Sequence, residues 1–422
     1  MYNDHYLRTP SFKLQTEFTE FLYIFNRFGN VLFGLKVESK EKRVERMVTM
    51  EVYKKYFATN YEESRAAFRS HLEKIKELWP DAQLTTEKIG QEKDNTIDMI
   101  YSEARTTNDQ VLFFTSGEHG IEGYTGAAVI HLFTDEYLSK LNPETTGICL
   151  IHALNPWGMR HFRRVTENNV DLNRNYFLDR SSVPVDVNKH YENEAALFLP
   201  AGKITSLKAE KKKLHAQLVK ALAAEGYSGI TEAKGMGQFQ FEKGVYYGGA
   251  FEEDSAIFLK KVQKKLLQTF QRIIHMDWHT ALGPSNEITM VMSEIDSREA
   301  EEMKDKYGLK NIQKFSPHDV KGDSTNYFHE IKNQDFPERY LFSALFEFGT
   351  FGTDKKAELR EFMTIILENH LYWDGAENED DIENILNEFR AMFYPVDKKW
   401  LQDVVKQARL GIEGVLRGEE LL

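Results

Sequence analysis

At 422 residues the chain has enough material for one large α/β domain or two smaller ones, and its 41% apolar and 28% charged make-up is ordinary for a water-soluble globular protein. A formal net charge of -12 excludes a general nucleic-acid binder, because a phosphate footprint needs a net basic face. The single cysteine, Cys149, excludes an intrachain disulfide and removes any argument for an oxidising compartment.

Residues 1–50 read as an extension of unassigned role, rich in Phe and then in charge, and 51–422 as the main domain with a helical C-terminal part. The start, Met1-Tyr2-Asn3-Asp4-His5, lacks the order of a secretory signal, and the aromatic run Phe21 to Phe25 falls well short of the ~20 apolar residues of a membrane span. The expectation is a cytoplasmic protein without a membrane span. Asn60 with Glu63 makes a capping box, and Phe68, Leu72, Ile75 and Trp79 continue at helical spacing up to Pro80. Ile97 to Tyr101 and Val111 to Phe114 are expected strands, Tyr124 to Leu141 a helix, and Ile148 to Leu154 an almost continuous apolar strand of the kind buried on both faces. Further helices are expected over 207–222 and 254–270, further strands over 272–278, 288–292 and 340–348, and a helical C-terminal third interrupted at Tyr394-Pro395. Strand, helix and strand in this order give one α/β domain with helices on both faces of a mostly parallel sheet.

In such sheets the ligand crevice lies beyond the carboxyl ends of the strands, so polar residues that follow apolar runs carry the chemistry. His119 and Glu122 follow Val111 to Phe114 and, three positions apart on one helical turn, point to one place. His279 follows Ile273 to Trp278, and Glu347 ends Leu345-Phe346-Glu347-Phe348. Two histidines and a glutamate form one of the ligand sets of catalytic zinc, with a fourth position open. Asp277 and His275 share the face of His279. Asp277 is placed to orient a ligand, and His275 is the rival third ligand. Glu347 is the candidate carboxylate for taking a proton from water and passing it to a leaving amine. Arg163 and Arg164 lie in an arginine-dense loop, and Asn173 and Arg174 in an Asn-rich turn. Guanidinium forks there suit a substrate carboxylate or a developing oxyanion.

Gly117-Glu118-His119-Gly120-Ile121-Glu122, Asn155-Pro156-x-Gly158, Arg164 followed by Asn169-Val170-Asp171-Leu172-Asn173-Arg174-Asn175, Asp277-x-His279-Thr280 and Glu347-Phe348-Gly349-Thr350 resemble the ordered motifs of the zinc carboxypeptidase and aspartoacylase superfamily. The closest likeness is to an uncharacterised bacterial branch, which also shows elements like Gly237-Gln238 and Tyr247-Gly248-Gly249. The resemblance, from about residue 51 onward, implies a mixed eight-stranded sheet sandwiched by helices and one Zn2+ per chain held by His119, Glu122 and His279. It also implies Glu347 as general base and acid, Arg164 as the oxyanion-polarising arginine, and Asn173 with Arg174 as the grip on a carboxylate. Arg163 has no secure counterpart there, and the family's mobile tyrosine has no placed counterpart either: Tyr246 and Tyr247 are candidates by proximity to a Gly-rich segment, and Tyr247 is taken as substrate-binding. The expected activity is hydrolysis of an amide beside a carboxylate in a small peptide. An N-acyl amino acid deacylase and an inactive binding protein on the same fold are the alternatives.

Overall fold

The structure is a computed structural model that describes residues 53–315 and 321–422. The expected extension over residues 1–50 lies outside them. Eight strands form one sheet: β1 (Gln83–Lys88), β2 (Thr96–Ser102), β3 (Gln110–Ser116), β4 (Thr146–His152), β5 (Arg272–Ala281), β6 (Ile288–Met292), β7 (Asn311–Lys314) and β8 (Tyr340–Gly349). Their order is β1-β2-β4-β3-β5-β8-β6-β7. Pairing is parallel for β4/β3, β3/β5, β5/β8 and β6/β7, and antiparallel for β1/β2, β2/β4 and β8/β6. The expected mixed, mostly parallel α/β sheet is the observed one.

The main helices are α1 (Tyr61–Lys76), α2 (Gly123–Glu136), α3 (Leu207–Gly235), α4 (Asp254–Thr269), α5 (Ala300–Tyr307), α6 (Ser324–Asp335), α7 (Lys355–Asp374), α8 (Glu379–Phe393) and α9 (Lys398–Gly418). The period-two alternation of the central strands divides the core. Leu112, Phe114, Ile274, Met276 and Trp278 turn to one face, under Phe68 of α1, Phe133 of α2 and Ile412 of α9. Val111, Phe113, Cys149, Ile151 and Ile273 turn to the other, under Leu259 and Leu266 of α4 and Phe328 of α6. A third cluster joins Leu214, Ala221 and Ile230 of α3 to Phe362 and Ile366 of α7, away from the sheet.

Several boundaries differ from the sequence expectation for local reasons. α1 is capped by Asn60, whose side chain accepts from the Glu63 N–H, as the capping box requires. It ends at Lys76, and Trp79 reaches the core from the following turn, its indole donating to the Thr146 carbonyl at 2.8 Å. α2 stops at Glu136, and a separate 3-10 turn carries Leu138–Lys140. α3 runs on past residue 222 to Gly235, with a break at Gly226, where φ is 72°.

Candidate metal centre and active site

The strand register sets the site. In β5/β8, His279 lies directly opposite Glu347, and in β3/β5, Thr115 lies opposite Asp277. His279 sits inside β5, which continues to Ala281, rather than beyond its end. His119 and Glu122 come from the turn after β3: His119 is extended and Gly120–Glu122 forms one 3-10 turn. Two glycines make that turn possible. Gly117 has φ of 70°, which only glycine adopts readily, and a Cβ on Gly120 would lie 2.1 Å from the Gly158 carbonyl carbon. The turn is thereby pressed onto the short helix Pro156–Arg160, whose N-cap Asn155 accepts from the Gly158 N–H.

One nitrogen from each of two rings converges on one carboxylate. His119 Nδ1 lies 2.9 Å from Glu122 Oε1, and His279 Nδ1 lies 3.2 Å from Glu122 Oε2. The far nitrogen of each ring meets its own acid, His119 Nε2 at 3.1 Å from Asp171 and His279 Nε2 at 3.1 Å from Asp277. Each ring thus has carboxylates facing both of its nitrogens, and in His119 a proton held on Nε2 by Asp171 turns the Nδ1 lone pair toward Glu122. Neither ring nitrogen of His279, nor Asp277 Oδ2, makes a hydrogen bond among the described residues. Imidazole nitrogens and carboxylate oxygens converging at this distance suit a cation between them. His119, Glu122 and His279, all buried, have ligand atoms within 4.8 Å of one another, so the residues present fit a divalent ion.

Burial pushes the Glu122 carboxyl up, but His119 and His279 beside it bring it to about 2. Burial acts likewise on Asp277, and His279 holds it at about 2. Thr115 donates to Asp277 at 2.6 Å, and the Thr280 N–H donates to Glu122 at 2.7 Å. Burial, reinforced by Glu122, raises Glu347 well above the usual carboxylate range despite the neighbouring His279. Its Oε2 accepts only a long bond, 3.4 Å, from the Leu282 N–H. Arg164 donates to Asp171, the acid that also holds His119, and is thereby tied to the centre. Asp171 stays well below the usual range because Arg164 and Arg174 outweigh its burial.

Asn173 and Arg174 lie in the 3-10 turn capped by Asp171. Arg174 Nη1 donates to the Asn173 carbonyl at 2.8 Å, and its Nε is buried with no acceptor among the described residues. The structure places the other expected residues as follows. His275, the rival ligand, sits between Thr115 and Ser343, at 2.8 Å from each, and does not join the cluster. Asp277 reaches the ring of His279 from behind, as its place on the same face requires. Arg163 is not at the centre: its Nε and Nη2 donate to Glu368 at 2.7 and 3.2 Å, and its guanidinium lies 3.6 Å from the ring centroid of Tyr372. Tyr247 gives its carbonyl to the Asp171 N–H, while its phenol is in the field of Glu242 and Arg180. Tyr246 is the tyrosine whose buried, unpartnered hydroxyl is in the field of Arg164, Arg174 and Asp171. Asp171 and Glu118 were visible in the motifs but had no role assigned from sequence. Glu118 lies 3.5 Å from His279 Nε2 with both oxygens buried and unpartnered, and burial together with Asp277 pushes its carboxyl well above the usual range.

A family model described as "Protein of unknown function (DUF2817)" matches residues 57–407. No curated protein matches the sequence. Solved structures similar to the chain include bovine thrombin-activatable fibrinolysis inhibitor in complex with tick carboxypeptidase inhibitor, at 11% identity and a TM-score of 0.46, covering 88% of this chain and 99% of that one. Carboxypeptidase A from Helicoverpa armigera is 12% identical with a TM-score of 0.46, covering 95% and 86%. A succinylglutamate desuccinylase from Silicibacter sp. is 11% identical with a TM-score of 0.34, covering 70% and 67%.

Proposed function

Since the chain belongs to the DUF2817 family, which brings no activity with it, function rests on the site, and we propose a zinc-dependent hydrolase that cleaves an amide bond beside a substrate carboxylate. The observation that carries this reading is the convergence of two imidazole Nδ1 atoms on the two oxygens of Glu122, with a buried acid beside the far nitrogen of each ring. His119, Glu122 and His279 would hold one zinc ion. Lewis acidity toward a carbonyl oxygen, and a lowered pKa for water, are what that ion supplies when bound.

The protein's own groups do the rest. Glu347, opposite His279 in the register, takes the proton of the attacking water and returns it to the leaving nitrogen. Arg164, kept charged by Asp171, faces the charge that develops on the carbonyl oxygen. Arg174, with an Nε free of any acceptor among the described residues, and Asn173 beside it hold the anionic end of the substrate, and the buried phenol of Tyr246 borders the same space. Asp171 and Asp277 hold the ligand imidazoles in place.

The experiment is a substrate screen on zinc-loaded protein with short peptides and N-acyl amino acids side by side. Hydrolysis in either set, abolished by chelation and by Glu347→Gln, supports the hydrolase. The set that is cleaved separates a peptide trimmer from a deacylase. Loaded protein inert toward both sets contradicts it.

A further inference from the structure

At the far nitrogen of the His279 ring from Glu122, the fold gathers a second set of ligand atoms. Glu118, Asp277 and His279, all buried, offer ligand atoms within 4.8 Å of one another, a group able to hold an ion. Glu118 Oε2 lies 3.5 Å and Asp277 Oδ2 3.1 Å from His279 Nε2. Little of this group is answered. Both oxygens of Glu118, 1% exposed, and Oδ2 of Asp277 make no hydrogen bond among the described residues. The phenol of Tyr176, 2% exposed, lies in the field of these two acids, and its hydroxyl is likewise without a partner among the described residues. Asp323 acts on Glu118 as a third acid, and its Oδ2 is also buried and bare. Buried carboxylates are paired or coordinate metals, and each oxygen left bare forfeits the hydration it gave up.

We infer that a second divalent cation, of the oxygen-preferring class of Mg2+, Ca2+ and Mn2+, is held there by the two oxygens of Glu118 and by Oδ2 of Asp277, with the Tyr176 hydroxyl beside them. The inference rests on the proposed catalytic ion, because a histidine that gives one nitrogen to zinc is neutral and brings no charge to the acids at its other nitrogen. Carboxylate and hydroxyl oxygens suit that class of ion, and two negative charges match its two positive ones. Burial of the donors is no obstacle. Oxygens about 2.1–2.5 Å from an ion stand roughly 3–3.5 Å from one another, so a metal site needs no opening of the size an organic ligand requires. Glu118 precedes His119 in the chain, and Asp277 and His279 share one face of β5. The second ion therefore ties together the two segments that carry the ligands of the first.

The test is equilibrium dialysis of the zinc-loaded full chain against Mn2+, with both metals counted by elemental analysis and Mn2+ followed by electron paramagnetic resonance. Mn2+ is the probe because it ranks below zinc in affinity for nitrogen-bearing sites and does not displace it. The expected result is one Mn2+ taken up per chain with zinc unchanged, and a melting temperature that rises on Mn2+ addition. Glu118→Gln keeps the shape of the side chain and removes its charge. It should hold zinc as the parent does and bind Mn2+ weaker by about tenfold or more. Glu347→Gln, on the zinc side of the ring, should take up Mn2+ as the parent does. Mn2+ gained only in exchange for zinc, or lost in Glu347→Gln, would overturn the second site by placing the ion at the catalytic centre, and equal binding by Glu118→Gln would overturn it outright. Zinc retained with no uptake of Mn2+ would overturn the second site and leave the catalytic reading standing, whereas a chain that holds no zinc would contradict both.

Discussion

Single side chains divide the labour at the centre, and each can be removed without the others. Glu347 contacts no metal ligand by hydrogen bond and accepts only from the Leu282 N–H, so Glu347→Gln keeps shape and leaves His119, Glu122 and His279 in place. The expected outcome is undiminished zinc content with turnover lower by about 10²–10⁴, read by steady-state kinetics and elemental analysis of the same sample. Normal turnover would remove Glu347 from the mechanism. Arg174→Ala should act differently, raising KM far more than it lowers kcat, because its free donors are spent on the substrate's anionic end in ground and transition state alike. A fall in kcat at constant KM would contradict that role. At this scale the sequence was informative because the residues that the fold brings together, His119, Glu122, His279 and Glu347, follow or end apolar runs. It misled where side-chain direction matters, since nothing in Arg163-Arg164 or Tyr246-Tyr247 tells which of two neighbours turns inward.

Elements position these groups through close backbone contacts rather than through the chemistry itself. The turn Gly120–Glu122 lies so near the helix Pro156–Arg160 that a Cβ at Gly120 would meet backbone at 2.1 and 2.3 Å. Gly120→Ala must therefore push the turn away and displace His119 and Glu122 from His279. The account expects a fall in zinc affinity of about 10–100-fold, comparable to loss of a group that orients a ligand, with circular dichroism of the sheet and helices unchanged. Undisturbed affinity would show that the turn is not held by that contact. The central strands were legible from their apolar runs and β-branched or aromatic residues. β1, Gln83–Lys88, and β7, Asn311–Lys314, were not, because both are short polar edge strands whose pairing is decided by the neighbouring strand. The break in α3 at Gly226 and its continuation to Gly235 likewise depend on packing of Ile230 and Ala233 in the third cluster, which no local pattern announces.

The whole molecule carries a cost in acid. His71 is held down at about 3 by burial and by His131, and burial holds His152, His275 and His329 at about 4. An unfolded histidine takes a proton near pH 6.5, so between that value and the folded pKa the unfolded chain binds more protons, and stability falls as pH falls through this window. At pH 5 each of these histidines costs about 2 kcal/mol, so the melting temperature should drop steeply between pH 6.5 and 5. A flat profile over that interval would mean these rings are solvated or protonated in the fold. No helix of the described residues is long and apolar enough to cross a membrane. The claim on which the rest depends is that His119 and Glu122, from the turn after β3, and His279, from β5, share one ion. Elemental analysis of chain purified without chelator, beside His119→Ala and His279→Ala prepared identically, tests it most directly. The account predicts one zinc per chain in the parent and almost none in either variant at equal helix content. Metal-free parent protein that takes up no zinc on reconstitution, or variants that retain it in full, would contradict it.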